Sequence, residues 1–312
     1  MLKRLLTGLV IMALTVGFFA LRYVSPYIFD AYVMAIAVLA TFEVAKAYQK
    51  NNRKNDLCYI LCFPVLSYIA LILCTSYNLS ILIYYTIIVA LMAVLFILTM
   101  VINLFLKNKN NKEMIEVNYV GKLSSYVARK SFLNLFLMFY PAFILVQMFV
   151  LNHLSGFINY SAIVGKNIEV FALIMAFVTT IVTDTGAYLF GNGIKGVKLC
   201  PNISPKKTIS GAIGGFIMSI TFSVVLYLVF SAMGYATIFE TYKLGILNFV
   251  VYGAVASLFT QMGDIFASLV KRKNGIKDYG NILPGHGGVM DRVDGLSINI
   301  VSTLLFCLFI FL

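Results

Sequence analysis

Apolar residues fall in long runs that short polar breaks separate. The runs lie near 5–21, 27–45, 57–74, 79–106, 132–151, 168–184, 209–233, 245–264 and 295–312. Most of them approach the roughly 20 residues that a helix needs to cross about 30 Å of hydrocarbon. The pattern therefore predicts an all-α fold, a polytopic integral membrane protein with about nine transmembrane helices.

The predicted helices divide into two regions. We predict an N-terminal transmembrane region of about four helices in residues 1–131. We predict a C-terminal transmembrane region in residues 132–312, and it is the catalytic one by virtue of the candidate site residues described below. The first run follows Lys3 and Arg4, as in a signal peptide, but no convincing cleavage site of small residues follows it. We therefore expect this run to be a retained helix. The composition, 61% hydrophobic and 12% charged, excludes a water-soluble globular enzyme and a disordered chain.

The distribution of basic residues predicts the topology. With a cytoplasmic N-terminus, 21 of the 24 lysines and arginines lie on the cytoplasmic side, mainly in the loops 46–56, 107–131, 185–208 and 265–294. The positive-inside rule favours this arrangement. It predicts a multi-pass protein of the inner (cytoplasmic) membrane, with the N-terminus and the active site at the cytoplasmic interface. The positive net charge then favours an anionic lipid bilayer as partner, and no nucleic acid.

Acidic residues gather at the predicted cytoplasmic ends of the C-terminal helices: Asp184, Asp264, Asp278, Asp291 and Asp294. Carboxylates near a membrane are costly unless they are paired, hydrated or bound to metal. If the eighth helix continues past the bilayer, Asp264, Ser268 and Lys271 share one of its faces. An acid, a hydroxyl and an ammonium group so arranged suit a polyphosphate bound with Mg²⁺. The simpler alternative is a basic patch that binds lipid headgroups.

A glycine-rich turn, Gly285–Gly288, lies between two of these acids and allows the chain to fold back. We therefore predict that Asp264 and Asp291 hold a catalytic Mg²⁺, with Lys271 as the catalytic cation. Asp294 would support them or fix Arg292. The alternative is that both acids only pair with Lys271 and Arg292 and hold the loop in place.

A second polar stretch, Ser204–Thr208, precedes the seventh apolar run. Ser204 before Pro205 predicts a helix N-cap followed by the first helical residue. Free backbone N–H groups beside Lys206 and Lys207 would then form a phosphate cradle. An equally good interpretation is that these lysines only flank a span. In that case the small residues that follow, Gly211, Gly214 and Gly215, would serve helix packing.

The segment 268–294 contains S-x-aliphatic-K-R-x4-K-D, then P-x-H-G-G, and a closing D-R-x-D. This pattern resembles the signature of phosphatidate cytidylyltransferases, also called CDP-diacylglycerol synthases. The similarity extends upstream to Gln261–Asp264, Asp184–Tyr188 and Ser204–Thr208, and so covers residues 184–294. Two residues depart from the pattern. Ser210 stands where the family usually has Glu, and Ala267 stands where Glu is frequent.

The resemblance implies a Mg²⁺-dependent reaction in which the phosphate of phosphatidic acid attacks the α-phosphorus of CTP. The products are CDP-diacylglycerol and pyrophosphate. Because phosphate is already a nucleophile, catalysis needs mainly alignment and charge neutralisation. We expect substrate contacts from the polar groups of the two motifs: Ser204, Lys206, Lys207, Ser268, Arg272, Lys277, Asp278, His286, Arg292 and Asp294.

Two other classes of protein compete with this interpretation. A transporter or channel would place Asp184 and Asp264 on an ion pathway, but it should show acids near mid-span and two related halves. A CDP-alcohol type transferase would continue its motif after Asp294-Gly295, and this chain does not. The sequence leaves open the acyl-chain preference, the use of dCTP, a homodimeric state, and whether a second, monovalent cation accompanies Mg²⁺.

Overall fold

The computed structural model describes residues 2–51, 55–110, 117–157, 168–235 and 245–311. The helices are α1 Leu2–Leu21, α2 Pro26–Lys50, α3 Leu57–Ser76, α4 Ile81–Asn110, α5 Val117–Leu137, α6 Ile144–Asn152, α7 Leu154–Phe157, α8 Ile168–Ile194, α9 Ile209–Phe230, α10 Ile246–Lys273 and α11 Met290–Phe311. An antiparallel pair of short strands, β1 Lys198–Cys200 and β2 Ser204–Thr208, lies between α8 and α9.

Eight helical segments among the described residues are long and apolar enough to cross a membrane. They are Pro26–Lys50, Leu57–Ser76, Ile81–Phe105, Ser125–Asn152, Ile168–Ile194, Ile209–Gly234, Ile246–Lys273 and Met290–Ile310. The all-α, polytopic prediction is confirmed. The predicted count of about nine included the first run, which is helical but has a shorter apolar stretch, Leu6–Leu21.

Several helices continue well beyond the apolar runs that predicted them. Helix α4 ends only at Asn110 and α5 already begins at Val117, so the predicted loop 107–131 is largely helical and this prediction was wrong. Helices α8 and α10 likewise extend to Ile194 and Lys273. A helix satisfies its own backbone N–H and C=O groups in water as well as in lipid, so it need not stop where the side chains become polar.

The predicted fifth span, 132–151, is interrupted in its middle. Tyr140 has an extended backbone, with φ −118° and ψ 119°, between α5 and α6. The cause is Pro141, whose ring disfavours the helical conformation of the residue before it. The span therefore consists of two helical pieces.

The chain forms two compact units. The first unit comprises residues 1–146 and 279–290, and the second comprises 147–278 and 291–312. The predicted catalytic region 132–312 is a functional division and stays a prediction. The structural division differs from it, because segment 279–290, in the middle of the signature, packs as part of the first unit.

In the first unit, aromatic contacts join α1 to α2. The rings of Phe18 and Tyr32 stack with their centres 4.6 Å apart. The hydroxyls of Thr15 and Tyr32 lie 2.8 Å apart, within hydrogen-bonding distance. Such polar contacts between apolar helices fix their register, because lipid offers no competing partners.

A polar cluster around Asp56 ties α3, α4 and α5 together. Lys130 of α5 forms an ion pair with this carboxylate, and Asn103 and Asn134 donate to it at 2.7 and 2.9 Å. Burial raises the pKa of Asp56, but the hydrogen bonds from Lys130, Asn103 and Asn134 outweigh burial and hold the pKa below its ordinary value of 3.8. The charged form of Asp56 therefore stabilises the folded state.

Asp56→Asn is expected to lower the free energy of unfolding by about 2 kcal/mol near neutral pH, because hydrogen bonds to a charged group are lost. A folded-state pKa below the unfolded one means that this contribution is present above pH 3.8 and disappears as the pH falls further. Melting temperatures in detergent at neutral and acidic pH measure the difference. Asp278→Asn, at an exposed acid, is the control for stability. An equal loss at both pH values would contradict the prediction.

In the second unit, an apolar core joins α8, α9 and α10: Phe171, Met175, Phe230, Phe249, Tyr252 and Ala256. A buried polar group also joins α8 to α11. The side-chain amide of Asn299, fully buried, lies 2.9 and 2.8 Å from the hydroxyls of Thr179 and Thr180. These contacts set the register of the helices that carry Asp184 and Asp294.

Candidate active site

Acid–lysine pairs form the centre of the site in the second unit. Lys207 of β2 lies 2.6 Å from Asp264 of α10. Lys271, two turns after Asp264, lies 2.8 Å from Asp291 of α11 and 4.0 Å from Asp294. The helix that carries Asp264 and Lys271 continues past the predicted span and is unbroken through both, which was the condition for their lying on one face.

The carboxylates of this site also act on one another. Asp264 is close enough to Asp184 and Asp294 to repel both electrostatically. Lys207 and Arg292 offset the charge of Asp184. Acids of three helices therefore lie near one another and near cations, so one patch carries both signs of charge.

The two ion pairs differ in exposure. The side chains of Lys271 and Asp291 are 11% and 4% exposed, whereas those of Lys207 and Asp264 are 23% and 32% exposed. A buried pair is difficult to separate, because each charge would be left without compensation. Lys207 and Asp264 form the more accessible pair. Each of them can therefore more easily leave its partner and bind a ligand instead.

The stretch Ser204–Thr208 does not begin a helix, and the predicted N-cap at Ser204 is wrong. These residues form β2, which pairs with β1, so Lys206 and Lys207 lie on a strand. Thr208 caps α9 instead, because its Oγ1 accepts a hydrogen bond from the N–H of Gly211 at 3.1 Å. The hairpin, rather than a free helix end, positions the lysines.

Ser210, one of the two departures from the family pattern, helps to hold this hairpin. Its hydroxyl lies within hydrogen-bonding distance of the carbonyl of Lys195 and 3.1 Å from the hydroxyl of Thr208. Arg272 adds a further contact, because its Nε donates to the carbonyl of Ile203 at 3.3 Å. The hairpin is thus tied to both α9 and α10 without a glutamate at position 210.

Close backbone approach brings the acid-bearing helices together. A Cβ atom on Gly263 would lie 2.6 Å from the carbonyl oxygen of Asp294 and 3.2 Å from the Cα of Gly295. On α9, a Cβ on Gly215 would lie 2.7 Å from the carbonyl oxygen of Thr183. These distances confirm the packing interpretation of the glycines in α9 and extend it to α10.

The remaining predicted residues occupy different positions. Ser268 is buried one turn after Asp264, and Ser204 is half-buried at the start of β2. Four predicted substrate contacts are exposed: Lys206, Lys277, Asp278 and Arg292. Arg272 is also exposed, although it bonds to backbone carbonyls. The exposed cations leave the patch with charge that is available to an anionic ligand.

His286 belongs to the first unit, whereas the other predicted site residues belong to the second. Gly285 and Gly287 on either side have φ of 77° and 84°, which only glycine adopts easily. The N–H of His286 donates to the carbonyl of Leu283 at 2.9 Å, and Leu283 pairs with Gly287. The predicted turn is therefore present, as a short closed loop with His286 at its tip.

Comparison with known proteins identifies the family. The sequence model described as "Cytidylyltransferase family" matches residues 2–310, nearly the whole chain. The chain belongs to the cytidylyltransferase family. The resemblance seen in the signature is thereby confirmed.

Individual relatives agree with the family assignment. A phosphatidate cytidylyltransferase of Staphylococcus haemolyticus is 42% identical over 122 residues, which cover 39% of this chain and 43% of that protein. One of Staphylococcus aureus is 43% identical with the same coverage. The chain thus aligns with less than half the length of these curated relatives.

The site of this cytidylyltransferase-family chain contains the type of ligand atom that binds Mg²⁺. Its acids offer carboxylate oxygen, the ligand that this cation prefers. Within the described residues, no three His, Cys, Asp or Glu side chains lie close enough together to hold a metal. Mg²⁺ does not need three such side chains, because two carboxylates together with substrate oxygens and water can hold it. The assignment of the pair to Asp264 and Asp291 stays a prediction.

Sequence reasoning missed two residues that shape the site. Thr208 is a good capping residue directly before an apolar run, but the Ser-Pro pair upstream is the stronger pattern and misled the prediction. Gly263 stands beside Asp264 inside a predicted span, where a small residue indicates close helix packing. Both could have been found from the sequence, although their partners could not.

Proposed function

We propose that the chain transfers the cytidylyl group of CTP to phosphatidic acid. A phosphate oxygen of phosphatidic acid forms a bond to the α-phosphorus of CTP, and the bond from this phosphorus to the bridging oxygen of the β-phosphate breaks. Pyrophosphate leaves with that electron pair, and CDP-diacylglycerol is formed. Membership of the cytidylyltransferase family and similarity to phosphatidate cytidylyltransferases support this proposal.

The observation that carries the proposal is the patch of alternating acids and lysines in the second unit. Both substrates are phosphates, so their approach requires cations, whereas acids alone would repel them. The pairs Lys207–Asp264 and Lys271–Asp291 place ammonium groups beside carboxylates. Such a patch suits a phosphate that arrives with Mg²⁺, because the carboxylates can bind the metal and the lysines the phosphate oxygens. A plain lipid-binding basic patch does not need these acids.

In this proposal the chain acts by alignment and charge neutralisation. Lys207, Lys271 and the exposed Arg292 neutralise phosphate oxygens as charge moves to the leaving pyrophosphate. Asp264 and Asp291 would hold Mg²⁺, and Asp294 lies beside them near Lys271. When bound there, Mg²⁺ supplies Lewis-acid stabilisation of the phosphate charge.

Membranes containing the protein, supplied with CTP labelled in the cytidine and with phosphatidic acid, test the activity. Label should enter the lipid extract, and its entry should require Mg²⁺. Omission of phosphatidic acid or removal of Mg²⁺ with a chelator should abolish it. Label that stays in the aqueous phase under all conditions would contradict the proposal and reopen the transporter alternative.

Lys206→Ala and Lys271→Ala are each expected to lower kcat/KM by about 30-fold, the equivalent of about 2 kcal/mol for a lost charge-assisted hydrogen bond. Lys198→Ala is the matched control, because Lys198 is an exposed lysine on the neighbouring strand of the same hairpin. Steady-state kinetics on folded, detergent-purified protein measure the effect. Unchanged kinetics in both variants would contradict the role of these cations.

We also propose that the protein lies in the inner membrane with its N-terminus, the segment 107–130 and the signature in the cytoplasm. The asymmetry of basic residues supports this orientation. A cysteine at position 273 should resist a membrane-impermeant thiol reagent added outside, and one at 243 should react. Position 243 lies outside the described residues. The reverse labelling pattern would contradict the orientation.

A second, monovalent cation and a homodimeric state also stay predictions.

A further inference from the structure

A buried acid of the first unit lies against the signature loop. Glu43 of α2 is 2% exposed, and its Oε2 accepts the backbone N–H of Met290 at 2.9 Å. Met290 is the first residue of α11. The first N–H groups of a helix lack partners within the helix, and a carboxylate there also interacts favourably with the helix dipole. Glu43 therefore caps α11 from a distant part of the chain.

Two glycines of the loop pack directly on the same carboxylate. A Cβ atom on Gly280 would lie 2.5 Å from Oε1 of Glu43, and one on Gly288 would lie 2.4 Å from Oε2. Any side chain at these positions would have to displace the buried carboxylate. Together with Met290, three backbone positions of segment 279–290 thus close around Glu43.

The segment between these positions is a closed loop. Leu283 and Gly287 form an antiparallel bridge, in which the N–H of Leu283 donates to the carbonyl of Gly287 at 3.0 Å. His286 lies at the tip of this loop. Two sets of contacts hold this loop. Its ends contact Glu43, and near its tip Oγ1 of Thr7 on α1 donates to the carbonyl of Pro284 at 2.9 Å.

We propose that Glu43 is a positioning residue, which holds the glycine-rich loop 279–290 and the start of α11 in their working conformation. It does not itself touch the substrates. The inference rests on the proposed function, because the loop carries His286 and Met290 directly precedes Asp291. It adds a residue from the N-terminal half of the chain to the catalytic apparatus.

Amide hydrogen exchange of segment 279–290 tests this role independently of activity. Glu43→Ala should speed exchange in this segment by about tenfold, because a hydrogen bond to a charged acceptor is lost. Glu43→Gln keeps a carbonyl oxygen that can accept from Met290 and should show a smaller increase. The kcat/KM for cytidylyl transfer should fall in the same order, by about tenfold or more for Glu43→Ala.

Glu169→Ala is the matched control. Glu169 is 4% exposed and accepts a hydrogen bond from the backbone N–H of Ser155 at 3.1 Å, so it is a buried glutamate of the same kind in the second unit. This variant should lower the melting temperature but leave exchange in 279–290 and kcat/KM within about twofold of the wild type. A loss of kcat/KM like that of Glu43→Ala would show that any buried glutamate has this effect, and would overturn the proposal.

Gly288→Ala tests the same contact from the loop side. It keeps the glutamate in the sequence but pushes its carboxylate aside, so the test does not depend on the folding of Glu43→Ala. It should also speed exchange in the loop. Unchanged exchange in Gly288→Ala and Glu43→Gln, or unchanged kcat/KM in an active enzyme whose loop has loosened, would overturn the proposal. An inactive wild type would instead contradict the proposed function, and the exchange result would still decide whether Glu43 holds the loop.

Discussion

Asp264→Asn is expected to lower kcat by about 1,000-fold or more while the protein stays folded. Asparagine has nearly the same shape as aspartate but lacks its charge. The substitution therefore removes the partner of Lys207, 2.6 Å away, and one of the two carboxylates proposed to hold Mg²⁺. Because this pair is partly exposed, water can solvate the remaining lysine, and the cost in stability should be small.

The dependence of activity on Mg²⁺ concentration separates a metal ligand from an acid that only fixes the loop. Asp264→Asn should require much more Mg²⁺, and its maximal rate should remain low. Asp291→Asn and Asp294→Asn, measured alongside, show which acid shares the metal, because only a ligand should change the half-saturating concentration. Asp56→Asn, far along the sequence in the first unit, should have normal kinetics below its melting temperature. An unchanged Mg²⁺ titration with a near-normal maximal rate in Asp264→Asn would contradict the metal assignment.

The order of the spanning helices, and their number to within one, could be predicted because a bilayer imposes a length on apolar runs. Their ends could not. Hydropathy indicates where the side chains change from apolar to polar. Helices α4, α8 and α10 continue past that point, because their backbone hydrogen bonds do not depend on side-chain polarity. The interruption at Tyr140 was visible in principle, because Pro141 follows it.

The composition of the site could be predicted more fully than its geometry. The acids and lysines were identified from their density and from the signature, but the pairing of Lys207 with Asp264 depends on a hairpin that the Ser-Pro pattern concealed. Glu43 was visible as an acid inside an apolar span, a position that suggests function. Its partner, Met290, is 247 residues away and takes part through its backbone, so no local pattern identifies it.

The effect of a methyl group on Gly263 follows from the contact between α10 and α11. In Gly263→Ala, the new Cβ would lie 2.6 Å from the backbone oxygen of Asp294. A backbone atom cannot turn aside as a side chain can, so the two helices must move apart. This displacement separates Asp264 from Asp294 and shifts Lys271 relative to Asp291. A misplacement of about 1 Å can cost about 100-fold in rate, and we expect kcat/KM to fall by at least that much.

Gly253→Ala distinguishes this local effect from a general loss of stability. Its Cβ would lie 2.7 Å from the Cα of Ile220, an equally close contact on the same helix but three turns from Asp264. Overpacking of this kind costs about 1–3 kcal/mol, so both variants should melt at lower temperature. Gly17→Ala should not, because among the described residues the new Cβ would meet no atom within 4 Å outside its own stretch of helix. If folded Gly253→Ala lost as much kcat/KM as folded Gly263→Ala, the close approach at Gly263 would have no specific role in catalysis. If folded Gly253→Ala had normal kinetics while folded Gly263→Ala had lost kcat/KM, the spacing of the acids would depend on the absence of a side chain at position 263.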